Sequence, residues 1–156
     1  MKTLKFRLGT LLIAVSALVA CNSTKDEPTE DDITYNKVRN AERFDKLIIG
    51  QGANVQILDF RSKADFDAGH IPDAINITAT VQNTASDNGE FAQRVLQEFD
   101  NNRPIFIYGR NDLNLEYIVP GRISRIGFRQ SNTYILLGGF NVWIAAFPDK
   151  VETGEF

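Results

Sequence analysis

At 156 residues, 43% apolar and 24% charged, the chain is long enough for one globular domain with a real core plus extensions. Its formal charge of −3, from 17 basic and 20 acidic groups, leaves no basic patch of the kind that displaces counterions from phosphates, so nucleic acid is excluded as a partner. The one cysteine, Cys21, rules out an intramolecular disulfide. With only one histidine, His70, a zinc site would have to be built almost wholly from carboxylates, so no metal and no cofactor is expected.

Residues 1–20 open with Lys2, Lys5 and Arg7 and continue into Leu8–Ala20, a run of 13 residues. That is the size of a signal-peptide core and short for a membrane span. It closes on Leu18-Val19-Ala20-Cys21, which resembles the bacterial lipobox. The resemblance implies removal of residues 1–20, acylation of Cys21, and a membrane anchor built from the new N-terminus. Cleavage takes the 17 basic groups against 20 acidic ones to 14 against 20, a charge of −6. Asn22–Asp32 is polar and acidic and holds Pro28, so residues 21–32 read as a flexible tether. Asn22 after the lipidated Cys resembles the outer-membrane default of enterobacterial sorting. Lys25-Asp26-Glu27 resembles a surface-export signal of some Gram-negative lipoproteins, and equally suits a solvated linker.

The folded domain is expected over residues 33–150, with 151–156 as a tail. Ile33–Val38 reads as a short edge strand. Asn40 is an N-cap for a helix over Ala41–Ile49 that Gly50 and Gly52 end. Val55–Phe60 is a buried strand, and Ser62–Asp65 is a capping pattern for one helical turn to Asp67. Gly69-His70-Ile71-Pro72 is a turn, Ala74–Ile77 a strand and Thr78–Asn88 a polar connection. Glu90–Phe99 carries Phe91, Val95, Leu96 and Phe99 at helical spacing.

Ile105–Tyr108 is a strand, Gly109 ends it, and Arg110–Asn114 is a polar loop leading into a helix. Such a crossing points several backbone N–H groups at one spot, which suits an anion or a nucleophile. The loop holds no thiol, serine, histidine or lysine. Pro120-Gly121 interrupts the periodic Leu115–Ile126 and predicts a kink, or a helix shortened to start near Gly121. Thr133–Leu137 is a strand, Gly138-Gly139 a tight turn, and Phe140–Ala146 a last helix with Trp143. Alternating strands and helices predict a single α/β domain with a mainly parallel sheet of about five strands and helices on both faces.

Two stretches resemble the rhodanese homology domain. Ile57-Leu58-Asp59-Phe60-Arg61, Phe66 and Gly69-His70-Ile71-Pro72-Asp73-Ala74-Ile75-Asn76-Ile77 look like the family's LDxR and F-x-x-GHIPGAINI signature, with Asp73 in place of Gly. Leu137-Gly138-Gly139-Phe140 and Trp143 look like its closing L-x-GG-x-x-x-W. The resemblance spans about residues 33–147 and implies sulfane sulfur transfer through a cysteine persulfide, or the related phosphatase chemistry. The family's nucleophilic Cys follows the Ile105 strand directly, and Gly109 stands there; Asn111–Leu115 does not reproduce the rest of its loop. Both chemistries need a thiolate. By the same resemblance, Asp59 and Arg61 brace the loop as a buried pair and His70 is a structural residue of the turn.

Within the candidate loop Gly109, Arg110, Asn111, Asp112, Leu113 and Asn114, Arg110 reads either as an anion contact or as a solvated loop arginine. Asp112 reads as a turn-former, with an oxygen nucleophile as the sharper alternative. The expectation is a catalytically inactive, lipid-anchored protein of the bacterial cell envelope, in the outer membrane and facing either the periplasm or the exterior. Its domain would serve as a binding or interaction module for a protein or a small anion. The alternatives are a sulfurtransferase-family enzyme using another group or a partner's thiol, and a purely structural envelope protein.

Overall fold

The computed structural model describes residues 35–111 and 113–154, without the side chains of Leu113 and Asn114. The expected signal peptide and tether, Cys21 and Asp112 lie outside the described residues. Among the described residues no helix is long and apolar enough to cross a membrane.

The elements in chain order are β1 (Asn36–Val38), α1 (Ala41–Ile49), β2 (Ile57–Asp59), α2 (Lys63–Ala68), β3 (Ala74–Asn76), α3 (Glu90–Glu98), β4 (Ile105–Tyr108), α4 (Leu113–Arg125), β5 (Thr133–Leu136) and α5 (Gly139–Ala146). The strands form one sheet in the order β1-β5-β4-β2-β3, and every pairing is parallel. β4 lies at the centre, with Ile57 opposite Phe106 and Ile105 opposite Thr133.

The period of two along β4 sorts its side chains between the two faces. Ile105 and Ile107 join Leu58, Phe91, Val95, Val119 and Ile123 under α3 and α4. Phe106 and Tyr108 join Phe44, Ile57, Phe140 and Trp143 under α1 and α5. Because both faces are covered, β4 is apolar at all four positions, as a central parallel strand must be. Each such side chain stabilises the fold by about 1.5–3 kcal/mol on burial. Aromatic contacts knit the second face: Phe106 stacks on Tyr134 at 4.9 Å and meets the edge of Phe44 at 5.5 Å.

Asn40 caps α1 as expected, its Oδ1 accepting from the Arg43 N–H at 2.8 Å. Asn40→Ala is expected to cost about 1 kcal/mol, read as a lower urea midpoint with an unchanged slope. Ser62 caps α2 in the same way, accepting from the Asp65 N–H at 3.2 Å.

α4 corrects one expectation. It starts at Leu113 rather than near Gly121 and continues through Pro120. Proline removes one intrahelical bond there, at a cost of about 3 kcal/mol in an unsupported helix. Val119 and Ile123, both 0% exposed, anchor the helix on the sheet on either side of the proline, so tertiary burial overrides local propensity. The expected tail is also held: Glu152 and His70 exchange backbone hydrogen bonds at 2.8 and 3.0 Å, and the Gly154 N–H donates to the Asp67 carbonyl.

Candidate functional site

The candidate loop leaves the carboxyl end of β4, where ligands bind in open parallel sheets. Gly109 is buried and Arg110 and Asn111 are exposed; α4 follows from Leu113. A Cβ placed on Gly109 would lie 2.0 Å from Cε2 and 2.3 Å from Cζ of Phe60. Phe60 is only 2% exposed, so its ring fills the space into which any side chain at position 109 would project. The Gly109 carbonyl accepts from the Phe140 N–H at 2.9 Å. That contact needs Gly139 to have no side chain: a Cβ there would sit 2.0 Å from the Gly109 oxygen, and Gly139 has φ +59°. On the other side of the turn, Glu116 of α4 is buried and accepts from the Gly138 N–H at 2.9 Å. The loop is therefore held against the start of α5 at two points.

Arg110 stands in the loop with its side chain 65% exposed, as a solvated loop arginine does. It forms an ion pair with Asp65 in the first turn of α2. The Asp65 carboxyl is held below the usual carboxylate range, first by the Ser62 hydroxyl at 2.5 Å and then by Arg110. A pKa depressed in the folded state gives stability that is present above the unfolded value and is lost as pH falls through the folded one. Arg110→Ala should move the Asp65 pKa upward, with Ser62 still holding part of the shift. Carboxyl-carbon NMR titration reads this directly, and an unmoved Asp65 would mean the ion pair is absent in solution.

Asp59 and Arg61 form the buried pair expected of them, with side-chain exposures of 0% and 6%. Arg61 donates from Nη2 to Asp59 Oδ2 at 2.6 Å and from Nε at 2.9 Å, and its backbone N–H reaches Oδ1 at 2.8 Å. Nη2 also donates to the Gly69 carbonyl at 2.6 Å, and the guanidinium lies 4.0 Å from the Phe140 ring centroid. The Tyr108 phenol is pushed up by burial and then by the Asp59 carboxylate to which it hydrogen-bonds, so it stays protonated, and its oxygen accepts from the Ile71 N–H at 3.0 Å. Asn76 donates to the carbonyls of Asp59 and Arg61 at 3.1 and 3.0 Å. This one carboxylate thus ties β2, β4 and the turn after α2 into a brace beneath the candidate loop.

His70 completes the turn. Its ring stacks on Phe66 with centroids 3.7 Å apart, and Nδ1 lies 2.9 Å from the Phe66 carbonyl. Asp73 is the one non-glycine with positive φ (64°) among the described residues, which explains why glycine suits this position and why aspartate is tolerated. Sequence reasoning missed Phe60 and Glu116. The first read as an unremarkable member of an apolar strand, and the second gains its partner from a turn far along the chain.

The geometry defines a class: an open parallel α/β domain whose central strand passes into a helix through a loop buttressed by an Asp–Arg pair. The chain belongs to the rhodanese-like domain family, whose profile matches residues 40–146. A search of curated proteins returned no match. Among solved structures, the rhodanese-like domain of an Anabaena sp. protein is similar with a TM-score of 0.57 and 19% identity, over 76% of this chain and 78% of that one. A Bacillus halodurans protein gives 0.57 and 18%, over 79% and 80%. An uncharacterized Saccharomyces cerevisiae protein gives 0.57 and 21%, over 76% and 98%. At these identities the likeness establishes the fold alone.

Proposed function

We propose that this rhodanese-like protein is a lipid-anchored component of the bacterial cell envelope that binds a partner or small anion at its Gly109 loop and does not transfer sulfur. The observation that carries the reading is the Phe60 ring packed where a nucleophile at position 109 would project. Sulfane sulfur transfer needs a thiolate to accept the sulfur as a persulfide. Gly109 stands where the family resemblance puts that thiol, and the one cysteine of the sequence, Cys21, is assigned to the lipid anchor. Arg110 pairs with Asp65 at the surface but is 65% exposed, so the guanidinium and the loop's backbone N–H groups are both candidate anion contacts.

The test is thiocyanate formation from thiosulfate and cyanide by protein isolated from membranes, with intact-mass measurement after thiosulfate treatment. Neither turnover nor added sulfur is expected. Turnover at enzymatic rates, or a protein heavier by one sulfur atom, would end the reading. Cys21→Ser tests the anchor separately, because the variant should leave the membrane fraction.

A further inference from the structure

A second cleft lies away from the Gly109 loop, between the chain entering β1, the connection before α3 and the outer face of α4. Its volume is about 570 Å³, within the range of small-molecule sites. Three cations line it, Lys37, Arg122 and Arg125, and two tyrosines stand beside them, Tyr35 and Tyr117. The Lys37 ammonium lies 5.5 Å from the Tyr117 ring centroid.

Two polar atoms here are buried and have no hydrogen-bond partner: the Tyr35 hydroxyl and Arg122 Nε. No other buried side-chain nitrogen or oxygen among the described residues is left so. Arg122 is 6% exposed, and although its Nη1 pairs with Asp87, Nε is a donor only and needs an acceptor. The Tyr35 phenol is pushed up to about 12 by burial, against the opposing pull of Arg125, so it too is a donor at neutral pH. Buried donors without acceptors are costly, and a site that brings two of them together beside Lys37 is complementary to an oxyanion. The rim is apolar as well. Tyr117 and Val81, 60% and 54% exposed, are among the few large hydrophobic side chains left open to solvent, and both border this cleft.

We propose that this cleft binds a small amphiphilic anion, its carboxylate or phosphate accepting from Tyr35 and Arg122 and its apolar body lying on Tyr117 and Val81. The assignment does not depend on how the Gly109 loop is read. Lys37 adds charge at the mouth, and the Tyr117 ring offers a flat apolar wall for the body of the ligand.

The test is a titration of the full-length chain in lipid nanodiscs, with empty nanodiscs as the blank, using hexanoate, hexyl phosphate, hexanol and inorganic phosphate. Hexanoate or hexyl phosphate should saturate at one per chain, and which of them binds more tightly identifies the head group. Hexanol and inorganic phosphate should each bind at least about tenfold more weakly. Tyr35→Phe, which keeps the ring and removes only the unpartnered hydroxyl, should weaken binding by about tenfold, as should Lys37→Gln. Arg122→Lys should abolish saturation; because Arg122 is buried and paired, the two milder variants decide the question if it does not fold. Failure of both anions to saturate, equal binding of hexanol or of inorganic phosphate, or undiminished binding by both Tyr35→Phe and Lys37→Gln would each overturn the proposal.

Discussion

Gly109→Cys is expected to destabilise the domain by about 1–3 kcal/mol and to restore no sulfur transfer. The β-carbon would enter the Phe60 ring at 2.0 Å, and the Gly109 backbone has little room to retreat because its carbonyl is bonded to Phe140 and abuts Gly139. Phe60→Ala alone empties a buried site and should cost about 3–5 kcal/mol. Combined, the thiol occupies space the ring has vacated, so the double variant should lose less than the two singles together, by about 1 kcal/mol or more. Denaturant midpoints of the four proteins measure this coupling. Additive losses, or a Gly109→Cys variant as stable as the parent, would show that the two positions do not compete for the same space.

Asp59→Ala should be more damaging still, at about 3–5 kcal/mol, because it strands a buried guanidinium without its counter-charge. Asp59 is wholly buried and also receives the Arg61 backbone N–H and the Tyr108 phenol, so its removal orphans three donors at once. Replacing Asp59 and Arg61 together by apolar residues should cost less than Asp59→Ala, since no charge is then left inside. Urea unfolding monitored by Trp143, which sits in the same apolar cluster as Tyr108 and Phe140, reads both variants. A loss below about 1 kcal/mol for Asp59→Ala would mean that water reaches the pair and the brace is only a surface contact.

What was legible in the sequence was whatever depends on near neighbours. The four-residue apolar run of β4, the Asn40 cap and the helical spacing of α3 are all local, and each is found where expected. The Asp59–Arg61 pair was legible through the family resemblance, and it is consistent with the need of polar groups at a buried strand end for partners. Of the two outcomes expected of Pro120, the shortened helix failed because local propensity says nothing of Val119 and Ile123 holding the helix to the sheet. Phe60 over Gly109, Arg110 on Asp65 and Glu116 on Gly138 join residues from separate elements, and nothing in their own neighbourhoods announces the partner. The Tyr35–Arg122 cleft is of the same kind, assembled from the first described residue and a helix late in the chain.

The order of the strands has a bearing on how the chain is made. Among the described residues β1 has its one sheet neighbour in β5, with Asn36 beside Tyr134, so the first of these strands to be synthesised waits for the last. Contacts of such sequence separation slow folding. A ribosome paused before Thr133 holds a chain whose β4 has one open flank and whose β1 has nothing to pair with. The sheet is therefore complete only when β5 emerges, and its closing pairing joins the two ends of the folded domain.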